Sequence, residues 1–405
     1  MAEAWSWSQL SEHAITEEDR ENGPANSQAT LRLFGTDESE IRVTLYRDHH
    51  AWCPYCQKIW LWLEFKRVPY RIRKVTMRCY GQKEPWFLRK VPSGMLPALE
   101  LDNRLITESD EILLALEQSF GPLGLPMTSP QAMDLRRLER LLFRAWCIWL
   151  CTPGLNKHQQ QQGRQQFQDI ARRFEQALER TAGPWLDPQE APGTVDLVFV
   201  PYVERMNASL AYYKGYLLRE EHPAIDRWFR ALEARDTYRG TQSDFHTHVH
   251  DLPPQMGGCW SDASPTAAEL SARIDAGFGL DEQEACWPEE ARNSDLMRSR
   301  ALSRVLKHRR NILNVNPLGT ERFDQPLRAA LTTMMSGFPC KPTSGSGRSL
   351  RYLRDRISVP RDMPLPAARL LRKALETTAN LDNSDRPRPI SSSDRYDQDP
   401  RKFSD

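Results

Sequence analysis

The sequence predicts an α/β domain followed by an all-helical domain and then by a further helical extension. Three observations support this fold class. Short apolar, β-branched runs alternate with helical patterns over residues 41–120. Apolar residues recur at helical spacing through residues 130–235, and helical patterns return beyond residue 255. With 405 residues, of which 40% are hydrophobic, the chain is long enough for two or three domains.

A cysteine pair lies between the first predicted strand and the first predicted helix of the α/β domain. Residues 41–46 are apolar and β-branched, as in a strand, and Cys53-Pro54-Tyr55-Cys56 follows before a run of good helix formers. Proline suits the first helical turn, so Cys53 lies at a helix N-terminus, where free amides and the helix dipole favour a thiolate nucleophile. Cys56 lies one turn on and can close a disulfide. The pattern indicates a thiol-redox or thiol-transfer site.

Alternation and turn residues predict the other elements of the α/β domain. Residues 71–75 alternate apolar with charged side chains, as a strand with one solvent-facing side does. Residues 97–101 and 104–106 form a predicted hairpin around an Asp-Asn pair. Thr107 then caps a helix whose first turn is rich in acidic residues.

Composition shifts set the predicted domain boundaries. The tail is polar, charged and Pro-containing, which is typical of disorder. Helical stripes that include Leu302 and Leu327 would be exposed on a free segment, so we expect the extension to be docked. The predicted units are a flexible leader at 1–40, the α/β domain at 41–121, the helical domain at 129–240, the helical extension at 255–340, and a linker, one helix and a disordered tail at 341–405. Trp5 and Trp7 of the leader are candidates for packing onto the body.

Charge and cysteine content limit the class of protein. A net charge of +1 argues against a nucleic-acid or membrane partner, and no run approaches the roughly 18 apolar residues that a membrane span needs. Eight widely spread cysteines with one close pair favour a reducing compartment over a disulfide framework. The first 26 residues are acid-rich, unlike a transit peptide, which favours a cytoplasmic location and leaves a plastid location open.

The α/β residues carry a likeness to a known family. The strand, the cysteine motif and the helix resemble the thioredoxin fold, and residues 91–99 with the hairpin resemble the glutathione-binding half of glutathione S-transferases. The resemblance implies that Pro97 is cis and that the backbone of Leu96 pairs with glutathione. It also implies that Glu108 and Ser109 hold the γ-glutamyl group, at a helix N-terminus suited to a carboxylate.

The resemblance extends to the Cys-type classes of the family. Lys83 matches the omega-class lysine that contacts the glycyl end of glutathione, and Tyr55 is expected to lie beside the tripeptide as well. Residues 193–201 resemble the start of the family's central helix, although Gly193 replaces the usual capping Ser or Thr. The likeness covers residues 41–240. A second cysteine in the motif departs from most omega and lambda members and, with the long extension, is similar to the iota class.

The resemblance implies a glutathione-dependent thiol transferase or reductase. Cys53 would form a mixed disulfide with glutathione, which a second glutathione or Cys56 would resolve, as in deglutathionylation or dehydroascorbate-type reduction. We expect the electrophile between Cys53 and the helical domain, near Trp146 and Trp149. Glutathione and a small electrophilic or disulfide substrate are the expected partners, and a homodimer is compatible with the family. The alternatives are a non-catalytic glutathione- or ligand-binding scaffold whose extension docks a partner, and a dithiol oxidoreductase that does not use glutathione.

Three further patterns have weaker functional interpretations. Alternating histidines on one face of a strand can ligate a metal, and such a pattern occurs at His246, His248 and His250. These residues stand in a Pro-bounded linker, however, and no second group of ligands accompanies them, so no metal is expected. The six basic residues of the 298–310 run are interpreted as a solvated helix face. The cysteines outside the motif are interpreted as buried or incidental.

Overall fold

The structure is a computed structural model, and it describes residues 3–382. In the N-terminal domain, five strands form one sheet in the order β1-β3-β2-β4-β5, with β2 and β3 parallel and the other neighbours antiparallel. The strands are β1 (Leu31–Arg32), β2 (Val43–Asp48), β3 (Tyr70–Val75), β4 (Ala98–Leu101) and β5 (Arg104–Thr107). The helices of this part are α1 (Trp7–Ser11), α2 (Pro54–Lys66), α3 (Pro85–Lys90) and α4 (Ser109–Phe120).

Local turn chemistry explains the register of the β4–β5 hairpin. Asp102 and Asn103 both have positive φ angles, 51° and 65°, which a two-residue hairpin turn requires and which Asp and Asn tolerate. The turn pairs Ala98 with Thr107, so that Pro97 and Glu108, the residues just outside this pair, lie at the same end of the hairpin. The α/β thioredoxin-like fold class predicted from the sequence is confirmed.

An all-helical region follows the sheet domain. Its helices are α5 (Pro130–Cys151), α6 (Lys157–Glu179), α7 (Thr194–Lys214), α8 (Leu218–Glu221), α9 (Pro223–Glu233) and α10 (Asp236–Arg239). Helix α7 is buried along nearly its whole length and packs against α5 and α2. At its N-terminus, the Asp196 carboxylate accepts hydrogen bonds from the N–H groups of Gly193 (3.1 Å) and Leu186 (3.0 Å). Asp196 at N3 therefore provides one half of a capping box, whereas Gly193 at the N-cap has no side chain to provide the other half.

Eight more helices make up the rest of the described chain. They are α11 (Phe245–Met256), α12 (Pro265–Asp275), α13 (Asp281–Glu284), α14 (Ser294–Lys307), α15 (Arg309–Val315), α16 (Thr320–Ser336), α17 (Gly347–Arg356) and α18 (Leu365–Asn380). The predicted apolar stripes are buried: Leu302 and Leu327 belong to a second core formed mainly by α14, α16 and α18. Within residues 3–382, every helix is too short or too polar to span a bilayer.

The predicted linker at residues 252–254 is wrong, because α11 continues through it. Pro253 has no N–H to donate to the Val249 carbonyl one turn earlier, which normally breaks a helix. Here the Tyr213 hydroxyl donates to that carbonyl at 2.7 Å. A side chain from α7 thus replaces the missing backbone hydrogen bond and allows the helix to pass two prolines.

The interpretation of residues 1–40 as a flexible leader is also corrected by the structure. Leu10 is fully buried in the second core. The Trp5 N–H donates to Thr332 Oγ1 at 2.9 Å, and Trp7 Nε1 donates to Asp324 Oδ1 at 2.7 Å, so both residues are held on α16. Further along, Arg32 forms a buried ion pair with the Glu64 carboxylate at 2.8 Å. Apolar and paired polar groups of the leader therefore pack against the body.

The segment from residue 341 is more structured than the predicted linker. Ser346 is buried, and α17 begins directly after it, where no helix was predicted. Arg351 and Arg354 on this helix pair with the buried Glu376 carboxylate of α18. These ion pairs explain why so charged a sequence packs inside the protein. The predicted disordered tail beyond residue 382 lies outside the described residues.

Candidate active site around Cys53

Cys53 is the N-cap residue of α2, the first helix after the central strand β2. Its backbone is extended, and Pro54 follows in the first turn. The side chain is largely buried, with 7% of its surface exposed, and Sγ lies 4.0 Å from the Leu96 carbonyl oxygen. The sulfur therefore faces the loop before β4 from a position where the N–H groups of α2 are free to stabilise a thiolate.

Cys56 lies one turn further along α2 and is almost fully buried. Burial raises the pKa of the Cys56 thiol well above its ordinary value, and its hydrogen bond with Cys53 acts in the same direction. Cys56 therefore remains protonated while its side chain contacts Cys53. The two cysteines therefore differ in their surroundings: Cys53 lies at the helix end beside the Leu96 loop, and Cys56 is buried behind it.

The loop before β4 forms the opposite side of the site. The Leu96–Pro97 peptide bond is cis, as the family resemblance implied. Gly94 has a φ of 65°, and a Cβ there would lie 3.1 Å from the Lys83 side chain, so this turn requires glycine. Met95 is 58% exposed, which leaves the loop open to solvent.

Glu108 and Ser109 lie at the start of α4, beside Pro97 in the hairpin register. Glu108 has a φ of 64°, an uncommon conformation for a residue with a side chain, and Ser109 is the first helical residue. The backbone conformation of Glu108 could not be read from the sequence. The structure thus places both residues at a helix N-terminus next to the cis-proline loop, outside the cavity described below.

Lys83 borders the site from the segment between β3 and α3. Its Nζ donates to the Thr76 carbonyl at 2.8 Å, and the aliphatic chain packs against Gly94. Burial lowers the pKa of Lys83, whereas the nearby Cys56, Glu84 and Cys53 act against that change. The ammonium group is close enough to the cysteines to stabilise negative charge there.

A cavity of about 540 Å³ opens beside Cys53. Cys53, Tyr55, Lys83 and Leu96 line the side formed by the sheet domain, and Cys79 lies on the same side. The opposite wall is formed by helices α5 and α7 of the helical region and by helix α11. Its residues include Phe143 and Trp146 of α5, Tyr202 of α7, and Leu252, Pro254 and Met256 of α11. The volume and the apolar walls fit a small organic substrate.

Some of this wall differs from the sequence expectation. Trp146 lines the cavity as expected, but Trp149, almost one turn further along α5, packs against Phe167 and Tyr216 instead. The contribution of α11 was missed, since its two prolines were interpreted as a linker. Cys79 was also missed, because nothing in its local sequence distinguishes a cavity residue from a buried one.

A buried arginine supports the site from α7. Arg205 donates to the carbonyl of Trp52, the residue before Cys53, at 2.5 Å. It also donates to Oε1 of Gln57, the residue after Cys56, at 2.9 Å. No local pattern indicates this role, because the two partners are about 150 positions away. Arg205 connects α7 to the residues on either side of the cysteine motif.

The three histidines lie on helix α11, so the interpretation as an alternating strand in a linker is wrong. His248 pairs with Glu204 at 2.9 Å, and His250 pairs with Asp275 at 2.8 Å. His246 lies 3.4 Å from Asp355 of α17. Among residues 3–382, no group of three or more His, Cys, Asp or Glu side chains is arranged to hold a metal ion. The histidines connect α11 to its neighbouring helices.

Comparison with known proteins agrees with this geometry. Residues 52–119 match the family profile "Glutathione S-transferase, N-terminal domain". The chain is 25% identical to "Glutathione S-transferase DHAR2" of Arabidopsis thaliana over 191 residues, which are 47% of this chain and 84% of that one. It is 22% identical to "Probable glutathione transferase omega-2" of Caenorhabditis briggsae, over 50% of this chain and 83% of that one. A solved dehydroascorbate reductase of Chlamydomonas reinhardtii aligns with 17% identity and a TM-score of 0.40, over 59% of this chain and 98% of that one.

A thioredoxin-like sheet joined to a helical domain, with a cis-proline loop facing a helix N-terminus, defines the glutathione transferase class of protein. Residues 52–119 match the glutathione S-transferase N-terminal domain, and the relatives over about half of the chain are glutathione S-transferases of dehydroascorbate reductase, lambda and omega types. The resemblance to Cys-type glutathione transferases predicted from the sequence is confirmed.

Proposed function

We propose that this protein is a glutathione-dependent thiol transferase or reductase that acts through a mixed disulfide between Cys53 and glutathione. The main support for this proposal is the position of Cys53. It lies at the N-terminus of α2, and its sulfur is 4.0 Å from the Leu96 carbonyl of the cis-proline loop. A tripeptide that pairs with Leu96 brings its own sulfur to Cys53. The enzymes among the relatives support this proposal over a non-catalytic scaffold.

We propose the following roles for the groups that bind glutathione. The backbone of Leu96 and Pro97 aligns the tripeptide beside β4, and the N-terminus of α4 at Glu108 and Ser109 receives its γ-glutamyl end. The Lys83 ammonium, now bound to the Thr76 carbonyl, can donate another hydrogen bond to the glycyl carboxylate.

The reaction consists of two exchange steps. The Cys53 thiolate attacks the glutathione sulfur of a mixed disulfide, the original S–S bond breaks, and the substrate leaves as a thiolate that takes up a proton. A second glutathione thiolate then attacks the Cys53–glutathione bond, which releases glutathione disulfide and restores the Cys53 thiolate. Cys56 can perform the second step instead, and this leaves a Cys53–Cys56 disulfide. Each step breaks one S–S bond and forms another, so neither step needs an external oxidant or reductant.

The cavity narrows the substrate class. Phe143, Trp146 and Leu252 provide apolar contact surface, and Lys83 and Arg205 place positive charge near the sulfur. A small disulfide or a dehydroascorbate-type compound fits such a mixed environment. We also propose a cytoplasmic location and a homodimer as the assembly. Multi-angle light scattering on the purified chain measures the assembly directly.

A substrate panel tests the proposed function. Purified protein with glutathione is assayed against a glutathione mixed disulfide, dehydroascorbate and a chloronitrobenzene conjugation substrate. We expect turnover of the first two, because a cysteine nucleophile favours exchange over conjugation. Cys53→Ser should abolish this turnover, since a serine hydroxyl cannot form the mixed disulfide, while Cys56→Ser should retain much of it at high glutathione concentration. Glutathione binding without any turnover would support the scaffold alternative.

A further inference from the structure

Three cysteines outside the candidate active site lie together at the end of α5. Cys147 and Cys151 are one turn apart on that helix, and Cys151 is its last residue. Cys259 follows α11 and reaches the same place, because the Trp260 N–H donates to the Leu150 carbonyl at 3.0 Å. Cys151 and Cys259 therefore flank one backbone hydrogen bond. All three side chains are partly buried against the main core.

The three thiols interact with one another and with a lysine. Cys147 and Cys259 both donate hydrogen bonds to the sulfur of Cys151. These hydrogen bonds, together with the smaller effect of the Lys214 ammonium, lower the pKa of Cys151, although burial opposes them. The same hydrogen bonds and burial raise the pKa of Cys147 and of Cys259. Cys151 therefore has the most acidic thiol of the cluster, and the thiols of Cys147 and Cys259 lie next to it.

The cluster also joins the two helices that form the substrate-facing wall of the cavity. Phe143 and Trp146 of α5 line the cavity within two turns of Cys151. Met256, the last residue of α11, lines it from the other side, three residues before Cys259. The intervening Gly257 and Gly258 have φ angles of 79° and 138°, which residues with side chains rarely adopt. A disulfide at Cys259 would therefore restrict the backbone of the two-glycine segment that joins Cys259 to α11.

We propose that Cys151 and Cys259 are a second thiol site, which a hydroperoxide oxidises to a reversible disulfide that fixes the end of α11 against α5. Cys259 is the partner because it comes from a separate segment that can move, whereas Cys147 shares a rigid helix with Cys151, in which Cβ atoms four residues apart stand about 5–6 Å from each other and a disulfide needs about 3.5–4.5 Å.

The oxidation balances in two steps. The Cys151 thiolate attacks a peroxide oxygen, the O–O bond breaks, and Cys151 becomes a sulfenic acid while the other oxygen leaves as an alcohol or water after protonation. The Cys259 thiol then attacks the sulfenic sulfur, an S–S bond forms, and the hydroxyl leaves as water with the thiol proton. The two cysteines lose two electrons in total, and the hydroperoxide gains them. A thiol reductant reverses the bond.

Peptide mapping of the full chain tests the bond itself. Reduced protein is treated with hydrogen peroxide, alkylated and digested without reduction, and the cross-linked peptides are identified by mass spectrometry. We expect a peptide that joins Cys151 to Cys259, separate from any Cys53–Cys56 product, and loss of the link after dithiothreitol. Because the wild-type chain is measured, this result does not depend on the folding of a variant.

Two variants sharpen the test. Cys259→Ser should lose the cross-link, and the matched Cys147→Ser control should keep it. The proposal is overturned if peroxide oxidises Cys53 while Cys151 and Cys259 stay free, or if the product joins Cys151 to Cys147.

Amide hydrogen exchange tests the effect on the cavity wall without relying on any activity. We expect slower exchange over residues 255–260 in oxidised than in reduced wild-type protein. Oxidised Cys259→Ser is the control and should show no slowing, although its other cysteines meet the same peroxide. Equal exchange rates in reduced and oxidised wild-type protein would mean that the bond does not fix α11.

Discussion

The guanidinium of Arg205 donates to the carbonyl of Trp52 at 2.5 Å, and this bond ties the residue before Cys53 to the central helix of the helical domain. Both side chains are almost fully buried. The same guanidinium donates to the Gln57 side-chain Oε1 at 2.9 Å, so one side chain contacts the backbone before the cysteine motif and a side chain after it. The orientation of the candidate nucleophile therefore depends on the interface between the two domains.

We expect Arg205→Lys to slow thiol transfer and to destabilise the fold by about 1–3 kcal/mol. Lysine keeps the charge but has a single terminal donor group, which cannot reach Trp52 and Gln57 together. The rate of Cys53 alkylation by iodoacetamide, measured across pH, separates a positioning effect from simple destabilisation. Arg137→Lys is the matched control, because Arg137 is exposed on α5. An unchanged alkylation profile would contradict the positioning role.

Glu108→Ala combined with Ser109→Ala should weaken glutathione binding without unfolding the domain. Hydrogen bonds to a charged group contribute about 1.5–3 kcal/mol each, and these two residues stand at the helix end proposed for the γ-glutamyl group. Isothermal titration calorimetry with glutathione measures the loss. Glu111→Ala changes an exposed acid on the same helix and serves as the control. Equal affinities for the wild type and the double variant would remove α4 from the binding site.

Glu84 predicts a pH dependence of stability. Burial alone would raise the pKa of Glu84, but hydrogen bonds from His49 and Thr76 outweigh it and lower the pKa to about 2. A lowered acid pKa stabilises the folded state above the unfolded value of 4.5, and that contribution disappears as pH falls from 4.5 towards 2. We expect Glu84→Gln to cost on the order of 2 kcal/mol near neutral pH and progressively less in acid.

Urea unfolding of the wild type and of Glu84→Gln, at about pH 7 and about pH 3, measures this difference in the free energy of unfolding. Glu40→Gln, at an exposed position, should show almost none of it. A cost for Glu84→Gln that is the same at both pH values would mean that the carboxylate charge does not contribute.

Leu327→Ala should destabilise the second core by about 2–5 kcal/mol, because Leu327 is fully buried among α14, α16 and α18. Leu296→Ala changes a leucine of the same region that is 36% exposed and should cost much less. Urea unfolding gives both values. Similar costs for the two variants would show that this core does not pack as the structure describes. Thiol transfer under stabilising conditions should be unaffected, since Leu327 does not line the cavity.

Local signals explain which parts of the site could be predicted from the sequence. Cys53 and Pro54 mark a helix N-terminus by themselves, and the turn at Asp102 and Asn103 sets the hairpin register that brings Glu108 beside Pro97. These features depend on neighbouring residues. The local geometry of the sheet domain could therefore be predicted without a structure.

Tertiary contacts explain what the sequence could not predict. Pro253 ends a helix unless a hydroxyl from elsewhere, here that of Tyr213, replaces its missing hydrogen bond. Trp146 and Trp149 have the same helical periodicity, yet only Trp146 faces the cavity. Packing of Trp5 on the body could be anticipated from its large apolar side chain, but its partner, Thr332, lies more than 300 positions away and could not.

The packing of Leu10, Trp5 and Trp7 into the second core has a consequence for synthesis on the ribosome. These residues leave the exit tunnel long before α16 and α18 have been translated, so they cannot reach their packing partners until α16 has been synthesised. The second core therefore joins the earliest and the latest described parts of the chain, and it can form only after most of residues 3–382 have been translated.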